Sequence, residues 1–141
     1  METNQGTVFL EWVGSRMVVG TDSRGHSLAI GFQKEYEPQW DGAKPSDLLL
    51  LAAASCATYD VVEILEKQRQ PLENLTVSCT GEQIAEPPYT FVSLHLHYRA
   101  TGDIAAERLD KAISLAQEKY CSVLMTLKPT VDITYDFEII T

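Results

Sequence analysis

Residues 8–14 alternate with a period of two: Val8, Leu10 and Trp12 are apolar at the even positions. That is the signature of a strand with two unlike faces. Residues 16–21 and 27–32 repeat the strand character, with the turn-forming run Asp22-Ser23-Arg24-Gly25-His26 between them. A three-stranded β-meander is therefore expected over residues 7–32. Residues 35–44 hold Pro38, Trp40, Asp41 and Gly42 and read as a loop.

Pro45, Ser46 and Asp47 open a helix expected over about residues 46–68. Proline presets φ near the first turn, and Ser46 or Asp47 complements the free N–H groups there. Residues 48–57 are apolar on every face except at Ser55, the pattern of a helix buried all round. Asp60, Glu63, Glu66 and Lys67 then return charge to one side, so the second half is expected to emerge towards solvent. The helix should stop before Pro71.

A ββαβ segment is expected over residues 75–140. Residues 75–84 read as a strand, and residues 89–100 as another, with Val92, Leu94, Leu96 and Tyr98 on one face and His95, His97 and Arg99 on the other. A second helix follows Gly102-Asp103, with Leu109, Ala112, Ile113, Ala116 and Tyr120 at helical spacing. Val131, Ile133, Tyr135, Phe137 and Ile139 alternate with polar residues in a closing strand. No repeat or linker divides the chain, so one domain over residues 1–141 is expected. The order βββ-α-ββ-α-β places it in the α+β class. Two incomplete sheets and an all-apolar helix leave edges and a buried face wanting cover, which a second copy would supply.

The chain has 141 residues and a formal charge of −9. An acidic balance argues against nucleic-acid binding and against an anionic membrane surface, both of which call for a basic face. The uncharged run 48–57 falls short of the roughly 20 residues that span a bilayer. The N-terminus is polar and acidic, so no signal peptide is expected and the setting reads as cytoplasmic. Three cysteines, Cys56, Cys79 and Cys121, are too few and too scattered for a disulfide framework, and none lies in a Cys-x-x-Cys pair. Each on its own reads as a small core residue. A reactive thiol would need a nearby cation, for which Arg16, Arg24 and Lys119 are candidates. His95 and His97 share a strand face, and with cysteines they would make a zinc site. The cysteine spacing lacks a ligand pattern, so no metal is expected.

The run from Pro45 through Asp47, the alanine-rich apolar stretch and Cys56, eleven residues after the proline, resembles the first active-site signature of the OsmC/Ohr family of osmotically inducible and organic hydroperoxide resistance proteins. The stretch 60–67, and Cys121 within Glu118-Lys119-Tyr120-Cys121-Ser122-Val123, resemble its YhfA-like branch. The resemblance implies an OsmC-like fold and an intertwined homodimer, with sheets wrapped around central helices and two sites at the interface. It implies that Cys56 attacks an organic hydroperoxide and that Cys121 resolves the sulfenic acid as a disulfide. An external dithiol, in the family often a lipoyl group, would restore both thiols without any cofactor. An arginine and an acid activate the first thiolate in the family. Ser46 stands where the reductases carry their glutamate, and Asp47 is the acid one place later. Arg16 is the better candidate for the arginine and Arg24 the poorer. The alternative, motivated by Ser46, is a dimer of the same fold that binds a small apolar ligand or senses redox state, with slow turnover or none.

Overall fold

The computed structural model describes residues 1–32 and 41–141. Pro38, Trp40 and most of the expected loop lie outside the described residues. The chain forms two compact units, Met1–Leu49 and Leu50–Thr141.

The first unit is the expected meander. Strands β1 (Phe9–Gly14), β2 (Arg16–Thr21) and β3 (Ser27–Phe32) pair antiparallel in that order. The turn between β2 and β3 closes on Asp22. Its Oδ1 accepts hydrogen bonds from the backbone N–H groups of Arg24 and His26, at 2.9 and 2.8 Å. These bonds hold its carboxyl down at about 2. Val8, Leu10 and Trp12 share the expected face, and all three are exposed in the single chain.

Helix α1 (Pro45–Lys67) has the expected bounds to within a residue and carries Asp47 in its first turn. It ends in a Schellman arrangement with Arg69 at φ 56°. Gln70 N–H reaches Leu65 O and Arg69 N–H reaches Glu66 O, each at 3.0 Å, and Pro71 prevents continuation. The expectation of burial on every face is corrected. Ala53, Ala57, Val61 and Leu65 form the one fully buried stripe, at i, i+4 spacing. Leu51 is 59% exposed. A single chain thus covers only one side of an all-apolar helix. By length and composition alone α1 is long and apolar enough to cross a bilayer, a test that the core helix of a globular protein also passes.

The second unit packs a sheet in the order β4-β5-β6 against helices. Strand β4 (Leu72–Gln83) runs antiparallel to β5 (Phe91–Gly102), and β6 (Asp132–Ile140) runs parallel to β5. A parallel pair needs a crossover. Here it is α2 (Ala106–Leu115), a π-helical turn over Ala116–Tyr120, and α3 (Ser122–Leu127). The expected single second helix is therefore broken. Leu94, Leu96, Tyr98 and Ala100 of β5 are fully buried and form one core with the α1 stripe and with Leu109, Ala112, Ile113, Ala116 and Leu124. Burying each such leucine is worth about 1.5–3 kcal/mol. Val92 has the same parity but lies near the strand start and is exposed. Gly81 on β4 has a packing reason: a Cβ there would meet the Phe91 ring at 2.6 Å and Leu50 at 2.9 Å.

Candidate active site

Cys56 and Asp60 lie one turn apart on α1, so they project from the same face. Cys121 arrives from the end of the π turn. The two sulfurs and one Asp60 carboxylate oxygen all lie within 4.8 Å of one another. Residues 65 positions apart in sequence are thereby neighbours. Cys121 is fully buried, whereas Cys56 is half-buried, and all three cysteines are free thiols.

The π turn sets the position of Cys121. Cys121 N–H bonds to Ala116 O at 2.7 Å, closing the wide i→i−5 ring. Its backbone is then extended, and it caps α3, with Sγ accepting from Leu124 N–H at 3.5 Å. A π turn holds more than 3.6 residues, which is why Tyr120 falls off the expected stripe and is 53% exposed. The turn is anchored by Gln117, a buried amide whose Nε2 donates to the Tyr98 hydroxyl at 3.2 Å. Burial pushes the Tyr98 phenol up to about 12, with Cys121 and Cys79 among its neighbours.

Charge is costly in this corner. Burial, reinforced by a hydrogen bond with Cys56, pushes the Cys121 thiol up to about 12, while the Leu124 N–H works in the opposite sense. Burial and then the nearby Glu63 raise the Asp60 carboxyl. Asp60 Oδ2 is buried and has no hydrogen-bond partner among the described residues. The expectation that Asp60 turns to solvent is corrected accordingly. A cavity of about 370 Å³ opens beside it, lined by Asp60, Ile64, Leu115 and Tyr120 among others.

The other candidates fall elsewhere. Cys79 lies on β4 opposite Leu96, half-buried against the core, and burial raises its thiol. His95 and His97 face the exposed side of the sheet, away from the core-side Cys79. There His95 Nε2 and His97 Nδ1 approach Asp136 Oδ1 at 2.9 and 2.8 Å, and Arg99 and Glu138 complete an ion-pair row. Strand alternation sends them to the face opposite the core residues Leu94, Leu96 and Tyr98. Among the described residues, the group with metal-ligand spacing is Cys56, Asp60 and Cys121, with no histidine. Asp47 is exposed in the first turn of α1, about two and a half turns before Cys56. Arg16 opens β2 and Arg24 sits in the β2–β3 turn, both exposed in the first unit. The Lys119 ammonium lies over the Tyr120 ring, 5.5 Å from its centre.

Sequence reasoning missed Asp60, Gln117 and Tyr98 as parts of the site. The four-residue spacing from Cys56 was a signal for Asp60. Nothing in the periodicity marks Gln117 as buried.

A family model described as OsmC-like protein matches residues 38–136. Protein YhfA of Escherichia coli strain K12 is 33% identical over 133 residues, covering 93% of this chain and 96% of that protein. The crystal structure of a hypothetical protein from Aquifex aeolicus VF5 is 27% identical and superposes with a TM-score of 0.84 over 99% of this chain and all of that one. The organic hydroperoxide resistance protein OhrB of Bacillus subtilis shares the fold, with a TM-score of 0.65 and 14% identity, over 96% of this chain and 98% of its own.

Proposed function

The chain belongs to the OsmC-like protein family, in its YhfA-like branch, and from that premise we propose that it is a thiol-dependent peroxidase acting on organic hydroperoxides. Family membership and neighbours named for hydroperoxide resistance support redox or peroxide-related chemistry. The observation that carries the finer reading is the meeting of Cys56 and Cys121 sulfurs with unequal burial.

The inequality supports one assignment of roles. Peroxide is attacked by a thiolate, and a buried thiol held near 12 stays protonated at neutral pH. Cys56, the more accessible of the pair, attacks the terminal peroxide oxygen. The O–O bond breaks, the sulfur gains the hydroxyl as a sulfenic acid, and the alkoxide leaves as alcohol after taking a proton. The Cys121 thiol then condenses with the sulfenic acid, forming the disulfide and releasing water. An external dithiol, such as a lipoyl group, exchanges with the disulfide and restores both thiols. Arg16 is the proposed cation and Asp47 its acidic companion. The preference for an organic hydroperoxide over hydrogen peroxide rests on the neighbours named for organic hydroperoxide resistance. The cavity beside Asp60 has a mixed lining, with Glu63, Lys67 and Gln68 beside Ile64 and Leu115.

The homodimer belongs to the same proposal. In a single chain Phe9, Leu10 and Trp12 of the meander, and Leu51 and Tyr59 of α1, are exposed large apolar groups, surface that a second copy would cover. The three free thiols fit a reducing, cytoplasmic setting.

One observation favours the second reading, a slow or non-catalytic dimer that binds an apolar ligand or senses redox state. Ser46 stands where the reductases carry their glutamate. Steady-state consumption of an artificial dithiol, driven by cumene hydroperoxide or by hydrogen peroxide, separates the two. The peroxidase reading expects sustained turnover, faster with cumene hydroperoxide. No turnover with either peroxide would leave the binding reading.

A further inference from the structure

The two sulfurs and the carboxylate make an electrostatically unfinished group. Three acids crowd within 4.8 Å. One carboxylate oxygen is buried and unpartnered, although burial without a hydrogen bond is unfavourable for such an atom. Among the described residues, no ion pair is made by Asp60. What the group has is the donor set of a thiophilic divalent cation. Two soft sulfurs and one carboxylate suit Zn²⁺ and disfavour Mg²⁺ or Ca²⁺, which take oxygen ligands.

The geometry agrees. Around tetrahedral zinc, with bonds of about 2.3 Å to sulfur and about 2.0–2.2 Å to oxygen, neighbouring ligand atoms stand roughly 3.5–3.8 Å apart. The three ligand atoms, all within 4.8 Å of one another, stand at most about 1.3 Å beyond that spacing. Cys56 and Asp60 are fixed one helical turn apart on α1, and Cys121 is fixed by the Ala116 bond and the π turn. A cavity of about 370 Å³ reaches the Asp60 member of the group, and a water would complete the four ligands as in zinc sites with three protein ligands.

We propose that the reduced Cys56–Asp60–Cys121 group binds one Zn²⁺ per chain, and that peroxide oxidation of the thiols expels it. Binding displaces the two thiol protons. In the release step the two sulfurs give up two electrons and become the disulfide. The hydroperoxide O–O bond accepts them with two protons from solvent, yielding one alcohol and one water, and Zn²⁺ departs. Zinc ligation slows the attack on peroxide by engaging the sulfur's lone pair, which makes the ion a regulator of the site. The release step rests on the peroxidase reading; the binding step rests only on the three side chains.

The test uses the full chain, reduced and freed of metal, titrated with Zn²⁺ against a chromophoric chelator. Co²⁺ serves as a parallel probe, because thiolate-to-cobalt absorption reports sulfur ligation. One Zn²⁺ per chain is expected, with affinity falling at least tenfold in Cys56→Ser, in Cys121→Ser and in the near-isosteric Asp60→Asn. Cys79→Ser should bind like the parent. The circular dichroism melt of each variant shows that it is folded, and a variant that fails to fold is replaced by Asp60→Ala or by Cys→Ala at the same position. Adding cumene hydroperoxide to the zinc-loaded protein should release the ion in proportion to disulfide formed. No zinc uptake by the reduced protein, or uptake unchanged by Asp60→Asn, would overturn the site. Zinc uptake without peroxide-driven release would uphold the site and overturn the release step, and dithiol turnover by the metal-free protein then decides the peroxidase reading. Brisk peroxide turnover with no zinc uptake would overturn the site and uphold the peroxidase reading.

Discussion

Tyr98→Phe tests whether the polar contact behind Cys121 stabilises the second unit. Tyr98 is fully buried, and its hydroxyl accepts from Gln117 Nε2 at 3.2 Å. Phenylalanine keeps the ring and its packing against Tyr135, whose ring stands edge-on at 6.4 Å. What is lost is the acceptor for a Gln117 amide that is only 8% exposed. A buried donor left without a partner costs about 1–3 kcal/mol, more than the hydrogen bond itself contributes. With a urea dependence of about 2 kcal/mol per molar for a protein of this size, the midpoint should fall by roughly 0.5–1.5 M. Wild type and variant are compared reduced and at equal protein concentration, because association shifts apparent stability. Tyr98→Phe with Gln117→Leu removes both polar groups and should recover most of the loss. A single variant as stable as the parent would refute the reasoning, as would a double variant no better than the single.

Two further outcomes follow from ionisation. Burial raises the Cys121 thiol well above the ordinary thiol range and keeps it protonated at pH 8. Iodoacetamide on the reduced, folded protein should therefore label Cys56 well before Cys121 by peptide mass mapping, and early labelling of Cys121 would contradict its buried placement. On the exposed sheet face, hydrogen bonds to Asp136 and then Glu138 raise His97, while hydrogen bonds from His97 and then His95 lower Asp136. The His97 contribution is complete below its unfolded value near 6.5 and is lost as pH rises through the higher folded one. The Asp136 contribution is present above 3.8 and is lost as pH falls through the lower folded value. Melting temperature should thus decline more from pH 6 to 8 in the parent than in His97→Gln, by a small, salt-sensitive amount; identical profiles would refute the linkage.

The elements that alternate or end cleanly were legible in the sequence. Strands β2 and β3 keep their expected bounds because Gly, Asp and Ser cluster only at the turn between them. α1 starts at Pro45 for the same local reason. The second helix is different. Its stripe holds through Leu109, Ala112, Ile113 and Ala116 and then slips, because a π turn changes the period and no residue type announces one. Asp60 was read with Glu63 and Glu66 as solvated charge. Which acid turns inward is decided by what packs against α1, and that is tertiary information. The neighbourhood of Cys56 and Cys121 came from family resemblance alone, since periodicity places one on a helix and the other near a helix end with nothing to bring them together. Burial of α1 on all faces was inferred from its composition, and the single chain buries one stripe. The remainder is the face proposed for a second copy, and a stable folded monomer in sedimentation at micromolar concentration would remove that proposal.

The central claim is that Cys56 attacks and Cys121 resolves. It is tested most directly by one equivalent of cumene hydroperoxide on the reduced single-substitution variants, with dimedone present and the adduct located by mass spectrometry. Cys121→Ser should react once and carry the adduct on Cys56, while Cys56→Ser should consume no peroxide and carry none. An adduct on Cys121 in Cys56→Ser, with Cys121→Ser inert, would contradict the account.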